Sequence, residues 1–300
     1  MQDARIGRFP IHNAKRSASR TFGRIRDIFL SSFPVTGALM LWEVCAFISG
    51  SRFVPHLATL GIVVVESIWN DPIIAAQGGG TSGYGPHVIA TLEMFLLCVC
   101  TGAAGGFVTS VVCFPWISLR GFLSAVLRPW HVIPPLIVIP LAYALLGPSQ
   151  LTSCLGGAFY AFVSTGIIVS AALDQVPNNL IDLARLAGAG PLRIAWRVRA
   201  VSILPVLVGP FKIVGSFTLG VVVILEYLAA PVGIGRVMKF AIAYNSVELI
   251  LAGVFWAALI GYCFSAGIDL VSNIFLRWAS KTRAGNARFK LIEVLRLASK

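Results

Sequence analysis

Six apolar runs, near residues 33–50, 87–114, 132–148, 151–173, 202–230 and 248–276, leave this chain few ways to fold. A bilayer core takes about 20 apolar residues per helix. All the runs reach that scale except 132–148, which is short and interrupted by Pro134, Pro135 and Pro140. Hydrophobic residues make up 57% of the 300 and charged residues 12%, about half the charged share of an ordinary soluble domain. That balance excludes a soluble enzyme, a disordered chain and a fibrous one. The expected fold is an all-α polytopic membrane protein of about six transmembrane helices.

The net charge of +12 is distributed between the runs. Seven Lys or Arg lie in the arm 1–32, two in 115–131, four in 174–201 and seven in the tail 277–300. The alternate connections hold only Arg52, Arg236 and Lys239. Basic connections stay in the cytoplasm, so both termini and the 174–201 loop are expected there. The domain plan is a basic arm (1–32), a transmembrane domain (33–276) and a basic tail (277–300). Arm and tail read as topology signals and anionic-lipid contacts rather than nucleic-acid binders. No cleaved signal peptide is expected, because the arm has no apolar stretch before its charges end.

On the outer side, residues 57–69 are expected as a helix lying along the interface, followed by the glycine-rich loop 78–83. The six cysteines fall in apolar stretches without metal-type spacing and read as buried thiols; no metal or other cofactor is expected. Gly102 and Gly106, with Thr101 and Gly105 beside them, form small-residue pairs four apart that allow close helix approach, either ordinary packing or a tight bundle or subunit contact.

The 174–201 connection carries the most information. Asn179 is placed to cap a short helix whose third residue is Asp182, Gly188 ends it, and Pro191 starts a second helix bearing Arg193, Trp196, Arg197 and Arg199. One face of the first helix carries Leu180, Leu183, Leu186 and Ala187. That face suits either the membrane surface or a soluble partner.

The stretch Asp182-Leu183-Ala184-Arg185-Leu186-Ala187-Gly188-Ala189 resembles the Glu-Ala-Ala loop of inner-membrane permease subunits of binding-protein-dependent ABC importers. Val54-Pro55, the glycine-rich second run, Ile133-Pro134-Pro135, Ile139-Pro140, Ile203-Leu204-Pro205, and Glu226 followed by Gly233-Ile234-Gly235 strengthen the resemblance, which is greatest to the nitrate/sulfonate/taurine-type permeases. Asp182 stands where the family has Glu and Leu183 where it has Ala. Of two family prolines after the loop, only Pro205 remains. The resemblance implies a permease that does no chemistry itself and has no catalytic residue. It implies a homodimer, two cytoplasmic ATP-binding subunits and an extracytoplasmic solute-binding protein. It also implies a coupling loop built on Asp182, Leu183, Ala184, Arg185, Gly188 and Pro205.

Glu43, Glu93, Glu226 and Asp269 sit in or near the runs, where ionisable groups are costly and point to a polar pathway. Glu226 matches an acidic family position and, with Gly233 and Gly235, reads as a structural or gate element. Glu93 is a second pathway candidate, whereas Glu43 and Asp269 are close enough to their span ends to pair with Arg52 and Arg277. An intramembrane hydrolase lacks its ligands, since His12, His56, His87 and His131 avoid span centres. An ion-driven secondary transporter, favoured by the proline-rich third run, and a non-transporting scaffold remain as alternatives.

Overall fold

The computed structural model describes residues 33–34, 36–50, 54–76, 83–276 and 278. The basic arm, most of the tail and residues 78–82 of the glycine-rich loop lie outside them. Two compact units are present, Met1–Ile62 and Val63–Lys300.

In the first unit, helix α1 (Thr36–Ser49) is followed by the start of α2 (Leu57–Glu66). The Trp42 indole donates to the Pro55 carbonyl (3.0 Å). Glu43 accepts from His56 Nδ1 (2.7 Å) and from the Leu57 amide (3.2 Å), so a carboxylate from α1 serves the exposed amide at the head of α2. His56 is thus a partner of Glu43, and the expected Arg52 lies outside the described residues.

The second unit continues through α3 (Pro72–Ala76), α4 (Tyr84–Cys113), α5 (Ile117–Val132), α6 (Pro135–Leu146), α7 (Gln150–Asp174), α8 (Asn178–Leu186) and α9 (Pro191–Ile194). A π-helical turn (Ala195–Ala200), α10 (Val201–Ala229), α11 (Ile234–Ala243) and α12 (Val247–Phe275) complete it. Helices α4, α7, α12 and the continuous segment Pro191–Ala229 are each long and apolar enough to cross a bilayer, and they occupy four of the expected runs. The third run differs. Pro134 and Pro135 end α5 and restart the chain as α6, bent by 100° from α5. The 12 residues of α6 rise only about 18 Å, short of the roughly 30 Å core. Helix α5 was not expected in what reads as a connection.

Packing centres on α4 against α7. Tyr84, His87, Thr91, Phe95, Cys98, Gly102, Gly106 and Ser110 recur every three or four residues along the buried face of α4. A side chain at Gly102 would collide with the Ala158 carbonyl, and a Cβ at Gly106 would lie 2.5 Å from the Phe162 oxygen. The Gly102/Gly106 pair is therefore a bundle contact within this chain. Thr101 is exposed. At one end of the seam Val111, Phe114, Val169, Leu173, Ala195 and Ile203 form a buried cluster.

Asp269 pairs with Lys212 (2.5 Å), joining α12 to α10; its expected partner Arg277 lies outside the described residues. One other expectation changes. Among the cysteines only Cys98 is buried, while Cys45, Cys100 and Cys263 are exposed; an apolar helix in lipid has two apolar flanks, and the pattern does not say which one packs.

Replacing Gly102 by Val is expected to destabilise the chain by about 1–3 kcal/mol through overpacking at backbone contact. Thr101→Ala is expected to stay within about 0.5 kcal/mol. Thermal unfolding of the detergent-purified variants measures both.

Candidate coupling helix and buried polar hub

Helix α8 is short and fully buries a single residue. Ile181 is buried, whereas Leu180, Leu183 and Leu186 are 41%, 63% and 87% exposed. At 100° per residue these three leucines share a face turned away from Ile181. Asp182 and Arg185 are exposed and in weak contact at 3.4 Å, and Ala184 is half-buried. The helix starts two residues earlier than expected, at Asn178 after Pro177, and no side chain caps it. Asn179 Oδ1 accepts from the adjacent Leu180 amide (2.9 Å) instead.

Its other end follows the expectation. Gly188 has φ +77°, its amide donates to the Arg185 carbonyl (2.9 Å), and the Ala189 amide donates to the Ala184 carbonyl (3.0 Å). This is a Schellman termination, which a left-handed glycine permits. Pro191 then occupies the first position of α9. No separate second helix follows, because α9, the π turn and α10 run on as one 39-residue segment. Pro205 lies inside α10 and so belongs to that segment rather than to the loop.

A second cluster gathers at the far end of α10. Glu226 is 4% exposed. Its Oε2 accepts from Thr91 Oγ1 (2.9 Å) and from the Gly235 amide (3.1 Å). Thr91 Oγ1 accepts from the Ile234 amide (2.9 Å), and His87 Nδ1 accepts from the Gly233 amide (3.0 Å). Three consecutive amides at the head of α11 are thereby satisfied by side chains of α4 and α10, where the helix itself offers no acceptor. An accepting Nδ1 fixes the His87 tautomer with its proton on Nε2.

The two glycines have steric reasons. Gly233 takes φ +131°, and a side chain there would meet the Glu226 carboxyl group. At Gly235 a Cβ would overlap the Val223 carbonyl. Nearby, Tyr84 Oη donates to the Leu249 carbonyl (2.6 Å) and Tyr143 Oη donates to the Leu225 carbonyl (3.0 Å), tying α4 to α12 and α6 to α10.

Glu226, Gly233 and Gly235 thus come together, and Glu93 does not join them. Glu93 is exposed, two residues and some 200° around α4 from Thr91. Thr91 is not singled out by the sequence reading, and His87 enters it only as a histidine too far from a span centre to serve a hydrolase. Their signal was a polar i, i+4 pair on the stripe that also carries Tyr84, Phe95 and Gly102.

Glu226→Ala is expected to cost about 2–4 kcal/mol by orphaning the Thr91 hydroxyl and Gly235 amide, with Glu226→Gln milder because one oxygen still accepts. Gly188→Ala is expected to cost about 1–2 kcal/mol through its left-handed backbone. Unfolding midpoints in one detergent rank the three.

The family model described as binding-protein-dependent transport system inner membrane component matches residues 106–282. The taurine transport system permease protein TauC of Escherichia coli is 21% identical over 206 residues, covering 69% of this chain and 75% of that protein. A probable ABC transporter permease protein of Haemophilus influenzae is 25% identical over 188 residues, covering 61% of this chain and 77% of the other. The riboflavin transport system permease protein RibX of Chloroflexus aurantiacus is 27% identical over 160 residues, covering 53% and 60%. Among solved structures, an inward-facing MetNI methionine ABC transporter chain superposes with a TM-score of 0.52 at 22% identity, covering 63% of this chain and 94% of that one, a likeness of fold. With more than half its length matched, this chain belongs to the binding-protein-dependent inner-membrane transport components and is the permease of an ABC importer.

Proposed function

We propose that α8 is the coupling helix, seated in a groove of a cytoplasmic ATP-binding subunit, and that this permease works as a homodimer supplied by an extracytoplasmic solute-binding protein. The observation that carries this reading is an exposed apolar face, Leu183 and Leu186 above all, on a helix anchored by the buried Ile181 and terminated sharply at Gly188. Exposed apolar surface presented on a rigid short helix favours a partner. Asp182 and Arg185 place opposite charges on one flank of the helix beside that face, Ala184 keeps the inner side thin, and Gly188 sets the turn.

The basic bias of the arm, the 174–201 loop and the tail supports cytoplasmic placement of both termini and of α8. The Glu226 hub then lies at the outer end of the transmembrane domain. Closure of the ATPase pair acts on α8, and the 39-residue helix that begins at Pro191 carries the displacement to Glu226. Release of the α11 head from Thr91 and Glu226 is the outer gating movement. Glu93, a carboxylate on an otherwise apolar flank, faces the water-filled pathway, because exposure to lipid is costly. The solute is small, of the nitrate, sulfonate or taurine type or a related molecule. ATP hydrolysis belongs to the partner subunit.

A Leu183→Asp, Leu186→Asp variant tests the coupling face. Both side chains are exposed, so the unfolding midpoint of the isolated permease is expected to stay unchanged. Capture of the co-expressed ATPase is expected to fall at least about tenfold, as for loss of central apolar interface contacts. Undiminished capture rejects α8 as the docking element.

A further inference from the structure

A cavity of about 440 Å³ opens between α8, the α4–α5 junction and the start of the Pro191–Ala229 helix, with Arg120, Arg185, Arg199, Phe114, Ile181 and Pro191 in its wall. Three guanidinium groups converge there. Arg120 and Arg199 both stack on the Phe114 ring, at 4.6 and 4.5 Å from its centroid. Arg120 Nη2 reaches both Asp174 oxygens (2.6 and 2.8 Å). Arg199 donates to the neutral Leu173 carbonyl (2.9 Å) and is opposed electrostatically by both Arg120 and Arg185, with Asp174 as the compensating charge. Among the described residues two carboxylates act on these three cations, Asp174 on Arg120 and Arg199 and Asp182 weakly on Arg185 (3.4 Å), so the wall keeps a net positive charge, and holding two guanidinium groups on one aromatic ring is unfavourable without an anion between them. The wall also includes the first residue of a 39-residue helix, whose dipole favours negative charge at that end.

We propose that this pocket binds a phosphate group, and specifically the headgroup phosphate of an anionic phospholipid. Planar guanidinium groups match phosphate oxygens in pairs. The source follows from the adjoining surface: Ile117 on the cavity wall is 87% exposed, and Trp116 before it and Phe122 on the next turns of α5 are 45% and 69% exposed. They offer an acyl chain an apolar track beginning at the pocket mouth. The site is distinct from the leucine face of α8, and its occupancy does not rest on the coupling reading.

The test uses the full-length permease, delipidated in detergent without any ATPase, titrated with phosphatidylglycerol or phosphatidylcholine and followed by native mass spectrometry. Phosphatidylglycerol is expected to bind at least about tenfold more tightly than phosphatidylcholine, each arginine supplying about a fivefold share. Arg120→Gln, Arg199→Gln is expected to remove that preference, and the exposed Arg185→Gln to reduce it. Asp174→Asn removes the competing carboxylate and is expected to raise phosphatidylglycerol affinity several-fold, a gain that misfolding does not imitate. Displacement of the lipid by millimolar inorganic phosphate supports the phosphate site with free phosphate as its source. Equal binding of both lipids by every variant overturns the proposal. So does an unchanged lipid preference in arginine variants that have lost ATPase capture, because the pocket then seats an acidic side chain of the partner.

Discussion

A carboxyl group within apolar helices must find its hydrogen-bond donors inside the protein, and at Glu226 that requirement organises the far end of the molecule. The donors come from α4 and from the head of α11. To reach them, α11 must approach α10 so closely that Gly233 and Gly235 have no room for a side chain. Thr91 and His87 occupy neighbouring turns of α4 because the Ile234 and Gly233 amides need acceptors there. One buried side chain thereby accounts for two glycines, a threonine and a histidine that look unrelated along the chain.

The same helix connects this hub to α8. From Pro191 to Glu226 the continuous segment rises about 50 Å, more than a hydrocarbon core, so its first turns project beyond it. The π turn sits on that projecting part, next to Ile194 and the cavity under Ile181. Pro205 and Pro210 remove two backbone donors further along. Packing restrains the segment through Leu207, Val214, Thr218 and Val222, and Lys212 ties it to Asp269 of α12. A displacement at α8 is thus loaded onto a single element held by side chains at its opposite end.

Features set by local chemistry were legible in the sequence. The four long spans follow from uninterrupted apolar length, the close-packing face of α4 from Gly102 and Gly106, and the turn after α8 from Gly188. Features set by residues distant along the chain were not. Thr91 meets Glu226 across 135 positions, which no periodicity reports, and Glu43 chose His56 because α2 needed a cap. The α5–α6 bend was visible only as a proline-rich weakness. The continuity of Pro191–Ala229 was hidden because the basic residues 193–199 interrupt the apolar pattern, so the helix begun at Pro191 reads as separate from the span that starts near 202.

The measurement closest to the centre of this account is hydrogen–deuterium exchange on the permease reconstituted with its ATPase, with and without bound ATP. Docking and closure at α8 are expected to protect residues 180–188. They are also expected to speed exchange of the Gly233, Ile234 and Gly235 amides by about tenfold, the equivalent of about 1.4 kcal/mol of weakened local structure. Protection at α8 with unchanged exchange at 233–235 would contradict the account, because the two ends of the helix would then move independently.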